Sequence, residues 1–247
     1  MLPSSTSSPL LGRVALVMGG GTRLGAAISV GLARAGADVA VHYATSAADA
    51  EQTSEKILGL GRRSLVVQAD LRDVQQAQQV VSATLERMGR LDLLVHAASP
   101  FEPSPFASVT EDIWDNALDV TLKAAFFVAQ AAAPALSESQ GCIVMLSDVA
   151  ASRPFASFIP HSVAKAGLEA LTRALAQALA PNVRVNAVAP GVVLPPATWN
   201  GGRIERAAER TLVGHIGTPD DVVRAVLFLA QSPFITGQTI VVDGGKR

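Results

Sequence analysis

The residues best placed to do chemistry lie in one early turn. An apolar run ends at Val17-Met18, and Gly19-Gly20-Gly21-Thr22-Arg23-Leu24-Gly25 leads straight into a helical pattern. Glycines there let the backbone turn tightly and approach a pyrophosphate. The helix N-terminus adds free N–H groups and the positive end of its dipole. A glycine cluster alone is weak; directly after the first strand of a strand–helix–strand unit it reads as a dinucleotide cradle. Gly19, Thr22, Arg23 and Leu24 are the turn residues expected on the ligand. The end of the second strand selects the dinucleotide. A site for NAD(H) places Asp or Glu there to hold a ribose 2′-hydroxyl. This strand ends His42-Tyr43-Ala44-Thr45-Ser46, without an acid. The Arg23 guanidinium matches a 2′-phosphate, and beside a positive helix end it has little else to gain. The expected cofactor is NADP(H), with His42, Tyr43, Ala44 and Thr45 at its phosphorylated ribose; a solvated first-turn arginine is the other role open to Arg23.

Other reactive types are sparse. The four histidines, His42, His96, His161 and His215, show no metal-ligand spacing among themselves or with the acids, so no metal is expected. The single cysteine, Cys142, lies in an apolar run and reads as a buried strand residue.

The elements that must position these residues alternate along the chain. Apolar runs at Arg13–Met18, Asp38–Tyr43, Ser64–Gln68, Leu91–His96, Gly141–Leu146, Val183–Val188 and Gln238–Val242 are short and continuous, as strands covered on both faces are. Helical patterns separate them at Leu24–Ala35, Ala47–Leu58, Val74–Met88, Glu111–Ala133, Ser162–Ala180 and Asp220–Ala230. This order predicts one α/β domain of the Rossmann type, a doubly wound parallel sheet of seven strands with helices on both faces. Residues 1–11, rich in Ser and Pro, read as a flexible tail before a dinucleotide-binding domain at 12–247. The stretch Gly191–Leu212 breaks the rhythm and is expected to be a lid or binding loop.

Composition narrows the class. The chain has 247 residues, 49% apolar and 17% charged, enough for a substantial core. A formal net charge of −1 offers no footprint for nucleic acid, and no charged block suggests a membrane surface. No uninterrupted apolar run reaches the roughly 18 residues of a transmembrane helix, and the start lacks a signal-peptide pattern. A reducing cytoplasm is the expected compartment.

From Gly12 onward the chain resembles the short-chain dehydrogenase/reductase family. The resemblance rests on the glycine turn, Ala69-Asp70-Leu71, Asn186-Ala187-Val188-Ala189-Pro190-Gly191, and the closing Thr236-Gly237-Gln238 to Val242-Asp243-Gly244-Gly245. It implies that Asp70 and Leu71 lie by the adenine, and that Ala97, Ala98 and Ser99 follow the cofactor. Pro190, Gly191 and Val193 are implied near the nicotinamide, and assembly as a homotetramer or dimer through the long helices is implied too. A narrower similarity is to the pteridine reductases: Arg23-Leu24-Gly25, His42-Tyr43 before Ser46-Ala47-Ala48-Asp49-Ala50, Ala98-Ser99-Pro100-Phe101-Glu102-Pro103-Ser104-Pro105, and Asp148 where the wider family has serine. It implies that Phe101 stacks on a pterin and that Asp148 helps supply protons.

The Tyr-x-x-x-Lys motif of that family meets His161-Ser162-Val163-Ala164-Lys165 here, and Thr121 stands where its asparagine is expected. Asp148 precedes His161 by the family's usual interval of 13 residues. Histidine is a competent proton donor, since its unperturbed pKa of about 6.5 suits neutral pH better than tyrosine's of about 10. Asp148 favours the imidazolium and Lys165 opposes it. Lys165 has a second implied task, holding the nicotinamide ribose. Three readings follow: an NADPH-dependent reductase of a pterin-like or other small carbonyl or imine substrate, a carbonyl reductase on a non-pterin substrate, or an NADP(H)-binding protein whose site has lost its acid. A turn cap is the other role open to Asp148, and a residue left from a degenerate site the other role open to His161.

Overall fold

The computed structural model describes residues 8–196 and 198–246. Seven strands form one parallel sheet in the order β3-β2-β1-β4-β5-β6-β7. They are β1 (Val14–Met18), β2 (Asp38–Tyr43), β3 (Ser64–Gln68), β4 (Leu93–His96), β5 (Cys142–Leu146), β6 (Arg184–Pro190) and β7 (Thr239–Val242). The helices are α1 (Arg23–Arg34), α2 (Ala47–Gly59), α3 (Val74–Met88), α4 (Glu111–Leu118), α5 (Ala124–Glu138), α6 (Ile159–Ala178), α7 (Gly201–Glu209) and α8 (Pro219–Gln231).

The unbroken apolar character of the strands follows from their position. In β1, Val14, Leu16 and Met18 pack with Val80 of α3, Val128 of α5 and Leu168 of α6. Ala15 and Val17 point the other way, onto Ile28 and Leu32 of α1, Ile57 of α2 and Val226 of α8. Successive residues of a strand face opposite sides, so a sheet covered on both sides needs apolar residues at every position. Side-chain caps fix several helix starts. Asp73 accepts from the N–H groups of Gln75 and Gln76 at 2.8 and 3.2 Å, and Thr218 and Asp221 form a reciprocal capping box on α8.

The strand order reverses beside β1, which lies between β2 and β4. Connections from β1 and β4 leave in opposite directions, and a crevice opens at the strands' carboxyl ends. The glycine turn after β1 and the loop after β4 form its walls.

Four features differ from the sequence expectation. Residues 1–7 of the expected tail lie outside the described residues, and Leu10 is no tail residue: it is 2% exposed and donates its N–H to the Ala35 carbonyl at 2.8 Å. The folded domain therefore reaches back past Gly12. The expected helix Glu111–Ala133 is two helices joined by a π-helical turn at Asp119–Lys123. The expected helix Ser162–Ala180 begins at Ile159, one turn earlier, because Pro160 suits a first helical turn. Within Gly191–Leu212 a short helix, α7, interrupts the loop.

Candidate active site

The cradle is set by contacts that exclude side chains. Gly19 has φ +73°, and a Cβ there would lie 2.8 Å from the Ala98 backbone. A Cβ on Gly25 would lie 1.9 Å from the Gly19 carbonyl oxygen, so glycine alone lets α1 start against the turn. Thr22 is the N-cap of α1 but makes no side-chain cap hydrogen bond, and the first turn carries no acid. The uncapped N–H groups and the dipole of α1 remain available to an anion.

His42 sits behind this turn. It is 1% exposed, its Nδ1 accepts the Gly19 N–H at 2.9 Å, and its Nε2 lies 3.1 Å from the Ala69 carbonyl. Both partners fix one neutral tautomer, protonated on Nε2. Burial pushes its pKa down to about 4, against a smaller upward pull from the Ala69 hydrogen bond. His42 was expected on the cofactor; it lines the cleft, and with both ring nitrogens engaged by backbone it also braces the Gly19 turn from behind.

The cleft has a volume of about 930 Å³ and is lined by Gly19, Thr22, Arg23, Leu24, Tyr43, Ala44, Thr45, Asp70, Leu71, Ala97, Ala98 and Ser99. Asp70 is tied to Arg72 at 2.5 Å, and hydrogen bonds from Arg72 hold its carboxyl below the usual carboxylate range. Arg72 also lines the cleft and was not singled out in the sequence, although it follows Asp70-Leu71 directly. Arg23 has φ +48°, and its guanidinium donates to the Leu194 carbonyl at 2.9 Å. It thus spans from the turn to the β6–α7 loop, a reach that sequence alone did not suggest.

A second cavity of about 660 Å³ adjoins the first through Arg23, Leu24 and Ala97. Phe101, Asp148, His161, Lys165, Pro190, Gly191 and Val193 line it. His161 and Lys165 are one turn apart on α6 and both are buried. The Lys165 ammonium donates to the Leu146 carbonyl at 2.5 Å. Burial lowers its pKa to about 8, partly offset by the Asp148 charge. Asp148 Oδ1 accepts the Ala150 N–H at 2.7 Å and so caps a short 3₁₀ turn, Val149–Ala151. Asp148 Oδ2 stands 3.8 Å from His161 Nε2, too far for a hydrogen bond but within reach of an ionic interaction.

The other side of the His161 ring is anchored. Nδ1 lies 3.3 Å from the Pro100 carbonyl and 3.4 Å from Ser99 Oγ. A carbonyl only accepts, so Nδ1 carries the proton in the neutral ring. Nε2 is then a bare lone pair, buried and without a hydrogen-bond partner. Ser99 Oγ lies 3.0 Å from Thr121 Oγ1, and Thr121 is fully buried in the π-helical turn, a form of bulge that often sits at functional sites.

Phe101 forms an aromatic wall. Its ring stacks on Phe158 at 4.6 Å and 15° and meets His161 edge-on at 4.9 Å, yet the residue stays 48% exposed. Phe158, which the sequence did not flag, is held by the short bridge between the loops at Ser104 and Phe158. His96 is buried outside the cavity lining with Nε2 3.2 Å from the Val120 carbonyl, and burial lowers its pKa to about 3. Cys142 is buried in β5, and burial raises its pKa. Among the described residues no His, Cys, Asp and Glu side chains cluster as a metal site.

Comparison with known proteins shows what the chain as a whole is similar to. The profile of the Enoyl-(Acyl carrier protein) reductase family matches residues 21–247. The Short-chain dehydrogenase/reductase FrzI of Cladobotryum sp. is 34% identical over 253 residues, covering 96% of each chain. A short-chain dehydrogenase/reductase from Serratia marcescens superposes with a TM-score of 0.90 at 33% identity, covering 96% of this chain and 98% of that one. A blue fluorescent protein from a metagenomic library, solved with NADPH, gives a TM-score of 0.89 at 31% identity, with 96% and 98% covered.

Proposed function

This chain belongs to the short-chain dehydrogenase/reductase family, and we propose that within it the protein is an NADP(H)-dependent reductase of a pterin-like or other small carbonyl or imine substrate. The observation that carries this reading is the His161 ring: anchored through Nδ1, with a buried, unpartnered Nε2 beside Asp148 and one turn from Lys165.

The first cavity fits a dinucleotide. Its turn has no room for side chains at Gly19 or Gly25, and α1 presents an uncapped N-terminus. In this reading Gly19, Thr22, Arg23 and Leu24 hold the phosphates, and Arg23 together with His42, Tyr43, Ala44 and Thr45 receives the 2′-phosphate end. Asp70 and Leu71 meet the adenine. Ala97, Ala98, Ser99, Pro190, Gly191 and Val193 border the nicotinamide, and Lys165 binds its ribose hydroxyls. When bound, the cofactor supplies the hydride.

The chain must supply the proton. With Nδ1–H committed to Pro100, Nε2 bears a proton only in the imidazolium. One Asp148 carboxylate oxygen stands 3.8 Å from Nε2, while the other accepts the Ala150 N–H. The proton passes from Nε2 to the substrate oxygen or nitrogen that gains electron density, leaving the neutral ring. The Lys165 ammonium, one N–H fixed on Leu146, stabilises negative charge at the reacting end of the cavity. Phe101 offers a half-exposed ring face to a flat substrate, which favours a heterocycle. The exposed rings of Phe126 and side chain of Val163, on α5 and α6, support assembly of the chain as a dimer or tetramer through those helices.

The test is consumption of NADPH with a panel of dihydropterins, quinones and ketones. Turnover of dihydropterins supports the pterin reading, and turnover of ketones alone supports a carbonyl reductase. No turnover anywhere in the panel overturns the reductase reading in favour of a cofactor-binding protein.

A further inference from the structure

A third cavity, of about 450 Å³, lies beside the reaction cavity and shares Val192, Trp199, Arg203 and Lys246 with it. Its remaining charged lining is Arg206, Arg210 and Asp243, so four cationic side chains meet one carboxylate. Asp243 is itself engaged, accepting the Gly245 N–H at 2.8 Å.

The charges on α7 are sorted. Arg203, Arg206 and Arg210 recur at intervals that bring them to one face, while Glu205 and Glu209 fall on another. Arg206 and Arg210 are four residues apart, as are Glu205 and Glu209; like charges at that spacing oppose helix formation. Among the described residues, none of Arg203, Arg206 and Arg210 forms an ion pair. A helix stabilised for its own sake would interleave the signs. This one concentrates cations on a cavity wall.

The remaining contacts aim the cluster. The Arg203 guanidinium lies over the Trp199 ring at 4.4 Å, and Lys246 Nζ over Phe155 at 4.5 Å. Arg153 donates to the Lys246 carbonyl, fixing the segment that carries that ammonium. Burial lowers the Lys246 pKa; Asp148 and Asp243 pull it up, while Arg153 and Arg210 push it down. Lys246 therefore feels both the reaction cavity and the arginine wall.

We infer that this cavity is an anion subsite continuous with the reaction cavity, and that it takes a carboxylate or phosphate carried by the substrate at a distance from the atom that is reduced. The inference rests on the reductase reading for the word substrate, but the subsite is testable without turnover.

Calorimetric titration of the intact protein with benzoate, phenyl phosphate and benzamide reads the subsite directly. At least one anion is expected to bind tenfold or more tightly than benzamide, and added salt to weaken the anion alone. The stronger of the two anions names the group preferred. In Arg206→Gln/Arg210→Gln the anion is expected to lose at least tenfold, and in Arg206→Lys/Arg210→Lys to lose much less. Benzamide binding as tightly as both anions, or an unchanged anion affinity in the glutamine variant, overturns the inference. Turnover then separates the two claims: kcat/KM is compared for dihydropteroate and its methyl ester. A preference for the acid that shrinks in the glutamine variant supports the subsite as part of the substrate site. Equal turnover of acid and ester overturns the inference while leaving a reductase. Charge-selective titration without turnover of either compound, or of anything in the wider panel, sinks the reductase reading instead.

Discussion

The Gly19 N–H donates to Nδ1 of His42 at 2.9 Å, so the glycine turn is held from behind by a residue of the neighbouring strand. The bond requires an unprotonated Nδ1. His42 has its pKa lowered from 6.5 to about 4, so between those values the unfolded chain binds more protons than the folded one. Stability therefore rises with pH across this window; the contribution is complete above 6.5 and is lost as pH falls through 4. Its size is about 3 kcal/mol by linkage. In His42→Gln the urea midpoint is expected to be lower at neutral pH and to depend less steeply on pH between these limits. His96, also depressed, retains its own slope in both proteins. A variant whose pH slope matches the wild type would show that His42 does not titrate in this way.

For His161, the anchored Nδ1 makes the imidazolium the donating form. His161→Phe is expected to lower kcat by about 10² to 10⁴, the usual range for a general acid. His161→Tyr is expected not to exceed the wild-type rate, because Asp148 at 3.8 Å suits a cation and not a phenol. A tyrosine variant much faster than wild type would identify an eroded site.

Lys165 separates binding from stability by sign. Its pKa is lowered from 10.5 to about 8, so its charge is lost as pH rises through about 8. If the ammonium holds the nicotinamide ribose, NADP(H) affinity falls across that pH. Folding behaves oppositely: between 8 and 10.5 the unfolded chain is the more protonated, and this group's contribution to stability rises with pH. Lys165→Met is expected to remove both trends. Fluorescence titration with NADPH and denaturant midpoints, measured from pH 7 to 10, check the two signs independently.

The strands and cradle were legible because their determinants are local. Runs such as Ser64–Gln68 and Asp38–Tyr43 match the strands end to end, and the glycines of the turn announce a backbone that cannot carry side chains. The part of the site that depends on tertiary proximity was less legible. His42 carries the pattern of a cleft residue, but only the sheet register places its ring beneath Gly19. The π-helical turn that buries Thr121 breaks a helical periodicity which, in sequence, runs on uninterrupted from Glu111. Arg203, Arg206 and Arg210 lie in a stretch whose glycines and prolines hid a nine-residue helix. Phe101 stood out in sequence as an aromatic in the loop after β4, but its stacking on Phe158 needs two loops distant in sequence to meet.

The choice between NADP(H) and NAD(H) rests on two residues that can be altered separately. Tyr43 ends β2 and lines the cleft, at the position where an acid would hold a 2′-hydroxyl. Tyr43→Asp brings a carboxylate to the expected phosphate, and charge repulsion should weaken NADPH while leaving NADH unharmed or improved. The ratio of kcat/KM for the two cofactors is expected to move toward NADH by about tenfold or more, the equivalent of roughly 1.4 kcal/mol. Arg23 is more entangled, since its guanidinium also donates to Leu194 and its backbone has φ +48°. Glycine accepts that conformation without steric cost, so Arg23→Gly removes the cation while relaxing the turn. The variant is expected to keep its melting temperature and lose affinity for NADPH more than for NADH. An equal loss for both cofactors would assign Arg23 to holding the β6–α7 loop, and the acid-free end of β2 would then carry the NADP(H) reading alone.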